Sequence, residues 1–329
     1  MSTYKEIQES IAPELALLHE RITSTLDSRN PLMNNVVEGY LRTKGKLIRP
    51  ILVILTARLL GTLNDRTISA AASVEMLHNA SLIHDDVVDE SSTRRGRPTV
   101  NAIWDNHIAV LVGDFFVSGA LHQAILTNDL RIVDSISGLG RMLSLGEIDQ
   151  IYNARYQCLD EEAYYNIIGH KTASLFVSCI EMGAYSVGAD DHRLDVMRRF
   201  AKLLGLCFQI RDDIFDYFPE GEGTIGKPTA NDLREGKITL PLLYALTRPD
   251  APDVEEQKRM VELSHLEQLS GAQIDELYDF ARRAGGIEYA YESMERMHRE
   301  ATQLLLGEFD AEAVEPFCSI FDYIISRRK

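Results

Sequence analysis

Positive charge is what this chain is short of. It carries 34 lysines and arginines against 50 aspartates and glutamates, a formal net charge of −16 over 329 residues. A chain so acidic repels phosphate backbones and anionic bilayers, which argues against nucleic acid or a membrane surface as its main partner. Cysteine is sparse too. Cys158, Cys179, Cys207 and Cys318 are scattered with no C-x-x-C pair. Neither a disulfide framework nor a zinc site is expected, and the pattern suits a reduced, cytoplasmic protein. The opening stretch MSTYKEIQESIAPEL is acidic and amphipathic, without the apolar core of a secretory signal. Only Ile108–Leu126 approaches transmembrane length, and it contains Asp114, with His122 near its end. Charge at that depth is costly in lipid, so a buried helix of a large bundle is the expectation.

Several chemical signatures are missing. There is no G-x-x-x-x-G-K-[ST] phosphate loop and no G-x-G-x-x-G after a strand. No Ser/His/Asp or Cys/His arrangement offers a nucleophile. Strict apolar/polar alternation is also absent, so no strands are expected. Prolines are few and thinly spread, and the long stretches between them repeat apolar residues at three- and four-residue steps. The pattern predicts helices over Glu6–Leu26, from Val36, over Ile51–Leu60, Ile68–Glu90, Ile108–Leu126, Ile132–Tyr152, Glu161–Gly188, Asp195–Phe218, Glu255–Ala284 and Tyr289–Leu305, and a short apolar ending at Phe317–Ile325. With 45% hydrophobic and 26% charged residues, the composition is that of a globular protein with a large core. The fold expected is all-α, one domain over residues 1–329, with more than ten helices around a central cavity. Pro219–Gly236, rich in glycine, is the one long loop and a candidate lid.

Against that background, one stretch stands out: LIHDDVVDESSTRRGRP, Leu82–Pro98. Asp85 and Asp89 are four apart, so on a helix they share a face at roughly 5–6 Å between Cβ atoms. Asp86 extends the same edge. Carboxylates crowded on an apolar helix make sense when hard divalent cations neutralise them, and an all-oxygen set suits Mg²⁺. QIRDDIFD, Gln209–Asp216, repeats the spelling with Asp212, Asp213 and Asp216. A single acidic helix face is usually just solvated. Two of identical spacing, both in apolar helices, point to several Mg²⁺ ions around one diphosphate.

The few cations fall near these motifs. Arg94, Arg95 and Arg97 follow the first one in a Gly/Pro loop, where guanidinium groups can grip phosphate. Lys46 and Arg49 lie in G-K-x-x-R-P at a helix break, and His78 is two turns before Asp85. Lys171-Thr172 falls mid-helix; Lys227 and Lys237 follow glycines in the candidate lid. The set describes a site that stabilises a departing diphosphate beside an apolar pocket, where a carbocation needs oxygen dipoles and dryness, not a nucleophile.

These motifs together resemble the trans-isoprenyl diphosphate synthases, or polyprenyl synthetases, over nearly the whole chain. The resemblance implies an isoprenoid synthase-type bundle of mostly antiparallel helices, usually a homodimer. It implies head-to-tail condensation of isopentenyl diphosphate onto an allylic diphosphate. Asp85, Asp86 and Asp89 would bind two Mg²⁺ and Asp212 a third. Arg94, Lys171 and Lys237 would hold the allylic diphosphate. Lys46, Arg49, His78 and Arg95, with Phe208, would hold isopentenyl diphosphate. Thr172 and Gln209 would place oxygen dipoles near the cation, and Lys227 would close over the site.

Product length is read from the turn before Asp85. Short-chain members carry a bulky aromatic four or five residues upstream; here Ala80 and Ser81 are small, and Leu77 is a further turn away. The stretch HNASLIHDDVVDESSTRRGRPT is similar to bacterial long-chain, octaprenyl-type synthases that make quinone side chains. Phe115, Phe116 and Phe176 are candidates for the floor of a tail tunnel. The alternatives are a farnesyl- or geranylgeranyl-type synthase, a non-catalytic subunit of a heteromeric synthase, and a terpene cyclase of the same fold. Two intact aspartate motifs argue against the second, and the Lys46/Arg49/His78 set against the third.

Overall fold

The computed structural model describes residues 3–41, 45–94, 96–156, 158–218, 231–266 and 268–327. In chain order the helices are α1 (Tyr4–Ser10), α2 (Ala12–Thr25), α3 (Pro31–Leu41), α4 (Ile48–Leu60), α5 (Asp65–Val88), α6 (Val100–Ile103), α7 (Asn106–Leu126), α8 (Leu130–Tyr156) and α9 (Glu161–Ile168). They continue with α10 (Ser174–Ser186), α11 (Asp191–Phe215), α12 (Asn231–Arg234), α13 (Leu240–Thr247), α14 (Val254–Ser264), α15 (Gly271–Arg283), α16 (Gly286–Glu308) and α17 (Ala311–Ser326). The all-α expectation holds. The residues cluster into two compact units, each assembled from segments distant in sequence.

The first unit comprises Met1–Arg141, Ser174–Ala201 and Leu304–Ile320. Helix α5 is its axis, packed against α2, α4, α7 and α10. Small residues let these neighbours approach. Ala70, Ala71 and Ala72 on α5 are fully buried, and the Ser73 hydroxyl donates to the Ala120 carbonyl of α7 at 2.7 Å. Helix α4 is apolar nearly all round, as a core helix must be. Its Ile51, Leu52, Val53 and Ile54 are fully buried, each stabilising the unit by about 1.5–3 kcal/mol. Helix α7 departs from expectation. One face, with Val112, Phe116 and Ala120, is buried, but Leu111 and Ile125 are 59% and 62% exposed. The long apolar run is thus half core and half bare apolar surface.

The second unit comprises Met142–Ala173, Lys202–Gln303 and Phe321–Lys329. Helix α13, LPLLYALT, is its apolar peg, packed against α9, α14 and α15. Gly286 makes one close approach possible, because a Cβ there would stand 2.0 Å from the Pro241 carbonyl oxygen.

Four local expectations are corrected. Glu6–Leu26 is two helices, because Pro13 lacks an amide hydrogen and starts a fresh helix after Ile11. Glu255–Ala284 is also two, because Ser270 closes a capping box with Gln273 and restarts the helix. Glu161–Gly188 is interrupted by one π-helical turn, Gly169–Ala173. The arginine loop contains short strands after all: Thr93–Arg94 pairs with Arg97–Pro98 in a hairpin, and Gly96 has the positive φ of 72° its turn requires.

Candidate active site

The first aspartate motif closes α5. Asp85 and Asp86 lie in its last turn and Asp89 is the C-cap, its amide donating to the Asp85 carbonyl at 2.8 Å. Glu90, at a φ of 48°, turns the chain back. The hairpin then returns onto the helix end. Arg94 Nε donates to Oδ1 of Asp86 at 2.7 Å, and Asn101 Nδ2 donates to the Asp86 carbonyl at 3.2 Å. Asp86 is 4% exposed, so its carboxylate braces Arg94, while Asp85 and Asp89 stand further out. Arg95 lies outside the described residues.

A residue the motif reading left unused holds this turn in place. His84 Nε2 donates to the Val110 carbonyl of α7 at 3.2 Å and lies 3.5 Å from Asp114 Oδ1. The ring occupies a notch that exists because residue 113 is glycine: a Cβ there would be 2.1 Å from His84 Nε2. Asp114, noticed only as a charge in an apolar run, thereby acquires a partner beside the motif.

Elsewhere in the first unit, Lys46 is exposed, and its carbonyl accepts from the Tyr4 hydroxyl and from Gln8 Nε2. Arg49 lies over the Phe176 ring, 5.9 Å from its centroid. His78 is 7% exposed, with its carbonyl accepting from Ser81 Oγ at 2.9 Å. Of the chain-length residues, Asp85, Ser81 and Leu77 step along one ridge at intervals of four. Ala80 lies off that ridge and is fully buried, as are Phe116 and Phe176, whereas Phe115 is part-exposed.

The second motif ends α11, and protein donors brace it heavily. Asp213 accepts from the Tyr164 hydroxyl at 2.6 Å on Oδ2 and from Gln209 Nε2 at 2.8 Å on Oδ1. Gln209 in turn accepts from Thr172 Oγ1 at 2.7 Å. Asp216 Oδ2 accepts from the Asp232 amide at 3.0 Å and from the Tyr278 hydroxyl. Arg327 Nη2 reaches Asp212 Oδ1 at 2.5 Å. Asp213 is 5% exposed and accepts one hydrogen bond on each oxygen, which braces the end of α11. Burial pushes its pKa up to about 6, with the Asp212 and Asp216 charges adding and the Tyr164 and Gln209 hydrogen bonds opposing. Asp232, which the motif reading missed, is pushed up to about 8, first by burial and then by the charges of Asp213 and Asp216. Its one sequence signal is an aspartate four residues before Gly236, inside the expected loop. That end of the loop is instead the single turn α12. Residues 219–230, with Lys227, lie outside the described residues.

Lys171 sits in the π turn, and such turns recur at functional sites. Its Nζ is 2.5 Å from Glu147 Oε2 and 3.2 Å from Gln150 Oε1. Gly146 lets α8 close on the turn, since a Cβ there would be 2.7 Å from the Lys171 amide nitrogen. Lys237 Nζ is 2.5 Å from Glu235 Oε2.

Among the described residues, no three His, Cys, Asp or Glu side chains converge tightly enough to ligate one ion unaided. The donors that stand outward are carboxylate oxygens. That fits Mg²⁺, which takes one or two carboxylates and completes its octahedron with water and substrate phosphate.

An all-α chain with two carboxylate-tipped helices and arginines beside them matches a known class. The polyprenyl synthetase model matches residues 30–280, and the chain belongs to that family. It is a prenyl transferase of the trans-polyprenyl diphosphate synthase type. It is 33% identical over 302 residues to the geranyl-diphosphate-specific all-trans-nonaprenyl-diphosphate synthase of Rhodobacter capsulatus, covering 92% of this chain and 91% of that one. A polyprenyl synthase of Caulobacter crescentus, crystallised with calcium and isoprenyl diphosphate, superposes with a TM-score of 0.88 at 30% identity, over 100% of this chain and 99% of that one. A geranylgeranyl pyrophosphate synthase of Bacteroides thetaiotaomicron does so with a TM-score of 0.80 at 36% identity, over 98% of both.

Proposed function

We propose that the chain condenses isopentenyl diphosphate head-to-tail onto an allylic diphosphate primer and extends it to a long all-trans polyprenyl diphosphate, used for a quinone side chain. In each cycle the allylic C–O bond breaks and diphosphate leaves. The isopentenyl double bond attacks the allylic carbon, and a proton lost from the adduct passes to the diphosphate. Mg²⁺ would supply positive charge to the leaving diphosphate when bound. Asp85, Asp89, Asp212 and Asp216 would hold it, with Asp86 and Asp213 as braces. Arg94, Lys171 and Lys237 would add charge to the allylic diphosphate. Lys46, Arg49 and His78 would take the isopentenyl diphosphate, with Phe208 beside it. Thr172 and Gln209 would face the electron-deficient carbon with oxygen.

The observation that carries the long product is the ridge above Asp85. Ser81 is small and part-exposed, and Leu77 continues its line. A tail rooted at Asp85 meets no aromatic ring there. The relative from Rhodobacter is named for a nine-unit product, which supports the reading; the similarity to a geranylgeranyl pyrophosphate synthase favours a shorter product as the second reading. Incubating the purified chain with isopentenyl and farnesyl diphosphates and sizing the products decides between them. Chains of more than about five units are expected, and none beyond four would refute the long-chain reading. In the same assay Ser81→Phe is expected to truncate the ladder while the first condensation continues. Ala80→Phe should instead cost about 1–3 kcal/mol of stability by overpacking a full core, visible as a lower Tm.

The subsite assignment has its own test. Arg49→Ala should raise the KM for isopentenyl diphosphate about tenfold or more, a lost charge-assisted contact, and leave that for the allylic primer nearly unchanged. The opposite order would exchange the two subsites.

A second copy of the chain is the partner proposed for the bare face of α7. Leu111 and Ile125 lie about four turns apart along one stripe, with Leu121, 40% exposed, beside it. The cytoplasmic assignment rests on the scattered free cysteines, of which Cys179 and Cys207 are buried and Cys158 is exposed.

A further inference from the structure

The second motif has a cation on it already, supplied by the chain's own C-terminal end. Arg327 directly follows α17. Its Nη2 reaches Asp212 Oδ1 at 2.5 Å and donates to the Phe208 carbonyl at 3.2 Å. The guanidinium lies 4.2 Å from the centroid of the Phe208 ring and 5.6 Å from that of Phe215. The backbone end is anchored as well. Arg211 Nη2 and Nε donate to the Arg327 carbonyl at 2.8 and 3.3 Å, and Arg211 Nη1 donates to the Tyr291 hydroxyl at 2.6 Å.

The placement is not a comfortable one for a guanidinium. The Arg327 side chain is only 10% exposed, and its Nε is buried with no hydrogen-bond partner. A buried donor left unmade is costly, and so is a desolvated charge with one carboxylate to balance it. What the position does provide is a positive charge on the outermost carboxylate of a cluster that also holds Asp213, Asp216 and Asp232. Crowded carboxylates need such a charge whenever no other cation is present.

Resting on the assignment of Asp212 as a metal ligand, we propose that Arg327 is its resting counter-ion, a positioning residue that the incoming divalent cation and diphosphate must displace. A guanidinium 2.5 Å from Oδ1 takes one of that oxygen's lone pairs and repels a divalent cation brought onto the same carboxylate. Binding is therefore a competition. The apparent affinity for the cation is lowered by the fraction of time Arg327 holds the carboxylate. Displacement also removes one side-chain tether at the end of α17, while the Arg211 clamp on the Arg327 carbonyl stays.

The test uses the full chain with Mg²⁺ and inorganic diphosphate, without turnover. Isothermal titration calorimetry should show Arg327→Met binding the pair about three- to tenfold more tightly than wild type, as expected when a competing state is removed. Arg327→Lys, which keeps a cation, should restore most of the wild-type affinity. Hydrogen exchange of residues 317–327 in the wild type should rise when Mg²⁺ and diphosphate are added. Unchanged or weaker binding by Arg327→Met overturns the counter-ion role. Should that variant fail to fold, the wild-type exchange decides alone, and indifference or added protection overturns the role. An Asp212→Ala chain that binds the pair as well as wild type would instead remove the metal-ligand assignment beneath it.

Discussion

Asp85→Ala is expected to lower kcat by on the order of 10²–10³, with the fold intact. Losing one group that stabilises leaving-group charge typically costs about that much, roughly 3–4 kcal/mol of barrier. The fold should survive because Asp85 lies in the last turn of α5 and its side chain is part-exposed, so no core packing is removed. Asp212→Ala should act similarly on turnover. It differs in one respect, because Arg327 loses its carboxylate partner and a buried charge is left uncompensated. A lower Tm is therefore expected for Asp212→Ala and not for Asp85→Ala. Steady-state rates at limiting and saturating Mg²⁺, with thermal denaturation alongside, separate the two. Near-wild-type rates for either variant at limiting Mg²⁺ would refute its role as a ligand.

Gly113→Ala carries the second large effect, and it acts at a distance from any diphosphate. The added methyl would stand 2.1 Å from His84 Nε2, so the ring must leave its notch and give up the Val110 carbonyl. The lost hydrogen bond and the forced shift cost about 1–3 kcal/mol together. His84 is the residue before Asp85. Its displacement should loosen the carboxylate and reduce kcat about 10- to 100-fold, the range for residues that orient metal ligands. Raised Mg²⁺ should recover part of that loss, which simple destabilisation would not allow. A variant with wild-type kinetics would show that the notch serves packing alone.

The helices were legible because their apolar spacing is regular, and the two aspartate clusters because their spelling repeats. The breaks were harder. Pro13 and Ser270 are visible signals, but each sits inside an apolar rhythm that carries on undisturbed across it. The π turn at Gly169–Ala173 spans five residues, too few for its longer period to register against the neighbouring helices. The partners of the aspartates were not legible at all. Tyr164, Tyr278 and Arg327 lie 49, 62 and 115 residues from the carboxylates they hold, and spacing along a chain carries no information on such meetings. The same holds for the Gly113 notch, where the signal is an absent side chain. Motif matching names which residues gather. It does not separate carboxylates that stand outward, such as Asp85, from those that hold their neighbours still, such as Asp213.

The row from Thr172 through Gln209 to Asp213 runs in only one sense. A carboxylate deep in protein can only accept, so Gln209 must turn its amide hydrogens toward Asp213 and its oxygen toward Thr172. Thr172 is then obliged to give up its single hydroxyl hydrogen inward. What remains on its outer side is a pair of electron lobes and no hydrogen, a surface that presents only the negative end of its dipole.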